Sequence, residues 1–246
     1  MDATQQPTSG GPGASLPYAV VFDVDGTLAD TERHGHRPAF NQAFADHGLD
    51  HEWDEATYGE LIAVTGGRRR IEGFLAADGH PDPAEAARVL HLAKTENFLE
   101  WVRNGPVVCR PGVDALIKNL RDRGVAVGVA TTGRRAWVLP LLDRLFGLDT
   151  FATIVTGDDV ENLKPAPDAY HLAVQRLGLQ ASRVLAIEDS PPGLAAARAA
   201  GLACIVVVND YTREGTFDGA ALLLDDFDGL DARGCEAALS GSRDPA

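Results

Sequence analysis

Residues Val20 to Asp30 read VVFDVDGTLAD, an apolar run with the character of a strand that then delivers Asp23 and Asp25, two residues apart, followed by Gly26 and Thr27. Side chains two apart at a strand end tend to share a face, so the two carboxylates can act on one reacting group from the same side. Polar residues also stand just after three further apolar runs: Thr131 and Thr132 after VAVGVA, Lys164 beyond ATIVT, and Glu188 with Asp189 after VLAI. Taken singly, an Asp or Thr at a strand end is a helix cap or a turn former. Four such segments brought to one edge would instead make a site of carboxylates, hydroxyls and one lysine.

For those side chains to meet, the runs that carry them must lie side by side. YAVVF, VAVGVA (Val125 to Ala130), ATIVT (Ala152 to Thr156), VLAI (Val184 to Ile187) and CIVVVN (Cys204 to Asn209) are short, apolar and rich in β-branched residues, as buried strands are. Helical stretches at Val113 to Arg123, Ala136 to Phe146, Pro167 to Leu177 and Leu194 to Ala200 alternate with them. That alternation predicts an α/β fold with a parallel, doubly wound sheet, whose ligands bind outside the carboxyl ends of the strands. One interval breaks the rhythm. From His34 to Val108 the pattern is helical throughout, which predicts an insertion lying over the site as a cap. The expected division is a core of residues 17–33 and 109–236, a helical cap of residues 34–108, and flexible ends at 1–16 and 237–246. Gly26 is expected to let the chain turn, Thr27 to cap the next segment, and Ser190 with Pro191 and Pro192 to start a helix.

A chain of 246 residues with 45% hydrophobic content can bury a full core. Its formal charge of -14 leaves no overall positive field for nucleic acid or an anionic membrane surface, so any anionic ligand must be held locally. No apolar run approaches the roughly 18 residues of a membrane span, and the first residues carry neither a basic start nor an apolar stretch for export, so cytoplasmic residence is expected. Cys109, Cys204 and Cys235 are too widely spaced to suggest a disulfide framework or a zinc site. His47, His51, His80, His91 and His171 lack paired ligand spacing and are expected at the surface or in packing.

FDVDGTLADTE, VATTG, LKPAPDAY and AIEDSPPGLAAARAAG resemble, in order and interval, the four motifs of the haloacid dehalogenase superfamily, over Tyr18 to about Asp228. The resemblance implies a Rossmann-like core with an inserted helical cap, and an enzyme that transfers phosphoryl groups through an aspartyl-phosphate. Asp23 would be the nucleophile, and Asp25 the acid and base that protonates the leaving oxygen and activates water. Two anions attacking an anion need an intervening cation, and oxygen ligands suit Mg2+. The implied ligands are the Asp23 carboxylate, the Asp25 main-chain carbonyl and Asp189, with Glu188 direct or through water. Thr131 and the amides after it, Thr132 among them, would hold phosphoryl oxygens, and Lys164 would neutralise charge on nucleophile and phosphate.

Specificity is expected from the cap. In VTGGRRRIEGFL, Gly67 and Arg68 stand near a helix start, where a cluster of arginines opposes the helix dipole unless an anion sits nearby; Arg68 is the first candidate for it and Arg70 the second. Lys94, in HLAKTENFLEW, is a further cap cation, and Glu32, His36 and Arg37 fall where cap joins core. GHRPAFNQAF, WDEATYGELIAVTGGRRRI and KTENF resemble the CbbY-type sugar-phosphate phosphatases, associated with carbon fixation, with Arg68 in place of that group's usual lysine. The substrate so implied is xylulose 1,5-bisphosphate, with one phosphate at the core site and the distal one on Arg37, Arg68 and Lys94. A phosphosugar mutase of the β-phosphoglucomutase type, or a phosphoglycolate-type phosphatase, would use the same core residues, whereas a non-catalytic binding protein would not need them intact. A capped enzyme closes its own site, so a monomer is expected.

Overall fold

The computed structural model describes residues 18–62, 64 and 66–241. The expected flexible lead-in of residues 1–16 lies outside them, as do residues 242–246 of the expected flexible tail. The chain opens with β1 (Ala19–Phe22), passes through a π-helical turn at Glu32–His36 and continues into α1 (Arg37–Asp46), α2 (Glu55–Leu61), α3 (Gly67–Ala77) and α4 (Pro83–Asn104). It then alternates: α5 (Val113–Asp122), β2 (Ala126–Ala130), α6 (Arg135–Phe146), β3 (Thr153–Val155), α7 (Asp168–Leu177), β4 (Val184–Glu188), α8 (Pro191–Ala199), β5 (Ala203–Val207), β6 (Leu222–Leu224) and α9 (Ala232–Gly241). Every strand pairing is parallel, in the order β3-β2-β1-β4-β5-β6. That is the doubly wound, Rossmann-like order, and it sets β1 centrally between β2 and β4.

β1 is apolar throughout because it is covered on both faces. Val20 and Phe22 join the core made with Leu116 and Leu120 of α5, Leu141 and Leu142 of α6 and Leu239 of α9. Ala19 and Val21 join the opposite core, with Tyr170 of α7 and Ala196 and Ala197 of α8. The four helices inserted after β1 form a cap with an aromatic core of its own, in which Phe40, Phe44, Trp53 and Tyr58 pack with Ile71, Leu75 and Leu90. Polar caps start α2 and α4 as side-chain chemistry dictates: Asp54 accepts from Thr57 N–H, and Asp82 from Glu85 N–H just before Pro83. The expected start of α8 is likewise present, with Ser190 Oγ accepting from Gly193 N–H at 3.2 Å.

Two features depart from the sequence expectations. A sixth strand, Leu222–Leu224, lies at the sheet edge, where it is too short and too exposed to carry a periodic signal. The tail expected to be flexible from residue 237 is instead helical through Gly241, and Leu239 is buried, so the core extends beyond the boundary read from composition.

Candidate active site

The carboxyl ends of β1, β2 and β4 bring the polar residues together. Asp23 continues β1 by one residue, its N–H donating to Ile187 O at 3.0 Å, and its side chain is buried. Lys164 reaches into the same place from the loop after β3. Its ammonium donates to Asp23 Oδ1 at 2.5 Å, Ala130 O at 2.8 Å and Glu188 Oε1 at 2.6 Å, so all three of its donors are committed. Burial alone would lower the Lys164 pKa, but Asp23 and Glu188 raise it, so the lysine is held charged. Burial raises Asp23 to about 7 against the pull of Lys164. Among the described residues the second oxygen of Asp23 accepts no hydrogen bond.

Glu188, the last residue of β4, also accepts from the Tyr170 hydroxyl at 2.7 Å. Asp189 comes next, accepting from Thr27 Oγ1 at 3.1 Å and Asn209 Nδ2 at 2.8 Å. Thr27 therefore reaches across to Asp189 rather than capping the next segment. Two glycines make room for these carboxylates. A Cβ on Gly26, whose φ is +85°, would stand 2.5 Å from Asp189 Oδ2, and one on Gly193 would stand 1.9 Å from Glu188 Oε2.

Asp23, Glu188 and Asp189 each place a carboxylate oxygen within 4.8 Å of the others. Three buried carboxylates around one lysine leave negative charge in excess, and Asp189 is held well above the usual carboxylate range by burial and then by Asp23 and Glu188. The all-oxygen donor set and the uncompensated charge fit a hard divalent cation.

Asp25 faces the cap. It accepts from the Thr31 hydroxyl, and His36 Nε2 lies 3.7 Å from its other oxygen. Burial raises Asp25 to about 6, with Lys94 pulling the other way. Lys94 Nζ is 2.7 Å from His36 Nδ1 and lies 4.8 Å from the ring centroids of both Phe40 and Phe98. Burial and Lys94 together lower His36 to about 3, so the ring is neutral; with Nδ1 accepting from the ammonium, its proton sits on Nε2, toward Asp25. Lys94 itself is lowered by burial to about 8. Glu32 accepts from the Tyr58 hydroxyl, and burial raises its pKa.

A cavity of about 250 Å3 opens at this place, reached by Asp23, Asp25, Glu32, Thr132, Lys164 and Asp189, with Ile62 from the cap side. Not every predicted residue arrives there: His36 and the buried Lys94 are not among the residues that line it. The Thr131 hydroxyl accepts from Gly133 N–H at 3.0 Å and shapes the turn, while Thr132 lines the cavity. Arg37 turns away, with Nη1 donating to Trp53 O at 3.3 Å and Nη2 3.8 Å from Glu55. Arg70 is buried and committed to the cap, donating to the carbonyls of Leu61, Ile62 and Val64 and to the Tyr58 hydroxyl. Gly67 and Arg68 open α3 as predicted, with Arg68 exposed. His91, expected at the surface or in packing, packs against that opening: a Cβ on Gly67 would be 3.0 Å from its ring.

Several supporting residues carry no signal in the sequence. Asn209, Tyr170 and Tyr58 each stand in an unremarkable apolar or polar context, and only the fold brings them to Asp189, Glu188 and Glu32. Arg110 is similar. It is buried beneath the site, donating to Gly26 O at 2.7 Å, Val207 O at 2.8 Å and Val208 O at 2.7 Å, and so ties the β1 turn to the end of β5.

Residues 18–201 match the haloacid dehalogenase-like hydrolases as a family. Protein CbbY of Cereibacter sphaeroides is 45% identical over 213 residues, covering 85% of this chain and 92% of its own. The crystal structure of CbbY from Rhodobacter sphaeroides in complex with phosphate superimposes with a TM-score of 0.75 at 42% identity, covering 90% of this chain and 100% of that one. An aspartate-to-asparagine variant of the same protein, in complex with xylulose-(1,5)bisphosphate, gives a TM-score of 0.73 at 41% identity, covering 89% and 99%. The chain belongs to the haloacid dehalogenase-like hydrolases, and it is a phosphatase of that family.

Proposed function

We propose that the enzyme hydrolyses xylulose 1,5-bisphosphate to xylulose 5-phosphate and inorganic phosphate, with Mg2+ as its metal. The observation that carries this is likeness along nearly the whole chain, cap included, to the CbbY structure in complex with that sugar bisphosphate. The geometry supports a two-step transfer. Asp23, fixed through one oxygen by Lys164, attacks phosphorus with the other. The bond from phosphorus to the C1 oxygen breaks, and Asp25 gives that oxygen its proton. Raised to about 6, Asp25 holds a proton far more readily near neutral pH than an ordinary aspartate does. In the second step the Asp25 carboxylate takes a proton from water, whose oxygen attacks the aspartyl-phosphate and frees Asp23 and phosphate. Mg2+ would be held by Asp23, Asp189 and the Asp25 main-chain carbonyl with Glu188 beside it, and when bound it supplies the positive charge that lets an anionic nucleophile approach an anionic phosphate.

Thr132 and the neighbouring amides face the transferring phosphate, and the Thr131 hydroxyl keeps that turn in shape. The distal phosphate is assigned to Arg68, at the start of α3 next to Gly67, and to Lys94; Arg37, engaged with Trp53 O, supports the cap instead. Glu32, which lines the cavity, is assigned to the sugar between them, with neutral His36 beside Asp25. The test is phosphate release with Mg2+ across a panel of mono- and bisphosphorylated sugars, run beside a mutase assay. Preference for xylulose 1,5-bisphosphate with stoichiometric free phosphate is expected. Isomerisation of a sugar monophosphate without net release would overturn the assignment.

A further inference from the structure

One short segment touches both Asp189 of the acidic cluster and the cap. Just past β5, the Asn209 side chain is engaged at both ends: Nδ2 donates to Asp189 Oδ2 at 2.8 Å and Gly26 O at 3.3 Å, while Oδ1 accepts from Tyr211 N–H at 2.9 Å. Its main chain is pinned as well, N–H donating to Thr212 Oγ1 at 3.1 Å. A planar amide fixed in this way cannot turn unless the residues after it move.

Those next residues hold the cap. Asp210 pairs with Arg33 in the hinge, and the same guanidinium nitrogen lies 3.3 Å from Glu55 at the start of α2. The Tyr211 ring packs edge-on against Tyr58 of α2, centroids 5.8 Å apart and planes at 83°. The Tyr211 hydroxyl is buried with no hydrogen-bond partner among the described residues, so the ring rather than the hydroxyl makes this contact.

We propose that residues 209–212 couple the seating of the cap to the orientation of Asp189, with Asn209 as the positioning residue through which the cap sets the site's affinity for a divalent cation. When Asp210–Arg33–Glu55 and Tyr211–Tyr58 are engaged, the Tyr211 amide holds Asn209 and Asn209 holds Asp189. When the cap swings away, that grip slackens and Asp189 keeps only Thr27. Linkage then requires the reciprocal effect: a bound cation favours the seated cap. The proposal rests on the assignment of Asp189 as a metal ligand.

The test is Mg2+ titration calorimetry on the full chain, without substrate. Asn209→Ala is expected to raise the Mg2+ Kd about 10- to 100-fold, as loss of a partner to a metal ligand does. Asp210→Asn, a near-isosteric change at a largely exposed carboxylate, and Tyr211→Ala should each raise it several-fold although neither touches Asp189, while Tyr211→Phe keeps the wild-type value. In the Asn209→Ala background Tyr211→Ala should add nothing, because its effect passes through that amide. Wild-type Mg2+ affinity in both Asp210→Asn and Tyr211→Ala, or a Tyr211→Ala effect undiminished in the Asn209→Ala background, would overturn the coupling. Asp189→Ala separates the two layers: if it binds Mg2+ as wild type does, the metal assignment itself falls and the coupling with it; if it loses binding, the other variants decide the coupling alone.

Discussion

The two halves of the site are built on opposite plans. On the core side each charged group is buried and gripped from another strand or loop: Lys164 by Asp23, Glu188 and Ala130 O, and Asp189 by Thr27 and Asn209. On the cap side the cations are held differently, Arg68 exposed at the first turn of α3 and Lys94 buried among aromatic rings beside a neutral histidine. A preorganised, buried cluster suits the bond-making step, whose charges must already be in place when the transition state forms. A few cations on a separate body suit recognition, because on the proposed reading they act on a part of the substrate that does not react. On the proposed reading, chemistry and specificity fall to elements that can vary independently.

Breaking the core side should cost most. Asp23→Asn, nearly isosteric at its strand end, is expected to lower kcat by about 10⁴-fold or more with the fold retained, as read by steady-state phosphate release and circular dichroism. Substantial residual turnover would remove Asp23 from the nucleophile's role. Asp25→Asn should lose about 10²- to 10⁴-fold, the contribution of a positioned acid and base, while Mg2+ affinity stays near wild type because only the main-chain carbonyl of Asp25 is assigned to the metal. A loss of Mg2+ binding comparable to that of Asp189→Ala would contradict this division of labour between the two carboxylates.

The cap side predicts a smaller and selective loss. Arg68→Ala removes a charge-assisted contact worth roughly 1.5–3 kcal/mol, or about 10- to 150-fold in kcat/KM, for a sugar bisphosphate, and should leave a small monophosphate such as 2-phosphoglycolate nearly untouched. Equal losses on both substrates would place Arg68 in cap stability or on the transferring phosphate. Lys94 gives the mildest effect, visible in pH. Its pKa is lowered to about 8, so it is charged at neutral pH and loses that charge as pH rises through 8. The preference in kcat/KM for bisphosphate over monophosphate should therefore decline several-fold between neutral pH and pH about 9, and Lys94→Met should flatten that decline. An unchanged slope in Lys94→Met would assign the pH dependence elsewhere.

The same contrast governs what the sequence could reveal. Asp23, Asp25, Glu188 and Asp189 were legible because they close continuous apolar runs, and a strand buried on both faces announces its end by its first polar residues, whereas Lys164, in the loop well past ATIVT, stood out only by its place before PAP. Their meeting followed from the parallel order alone. The cap's helices were legible from periodicity, but not the direction of their side chains: Arg37 and Arg70 were candidates beside Arg68, yet turn to main-chain carbonyls within the cap. Asn209 and Tyr211 were invisible because their roles depend on contacts across about 20 to 150 residues of chain, to Asp189 and Tyr58, that no local pattern encodes. Leu222–Leu224 escaped because a three-residue edge strand has no period to read.

The assignment of a xylulose 1,5-bisphosphate phosphatase is met most directly by following that substrate with the Mg2+-loaded enzyme by phosphorus NMR. One equivalent of inorganic phosphate should appear as the C1 phosphate resonance disappears, with xylulose 5-phosphate as the sole sugar product and kcat/KM well above that for 2-phosphoglycolate. Loss of the C5 phosphate, migration of a phosphate without release, or a higher kcat/KM on 2-phosphoglycolate would contradict it.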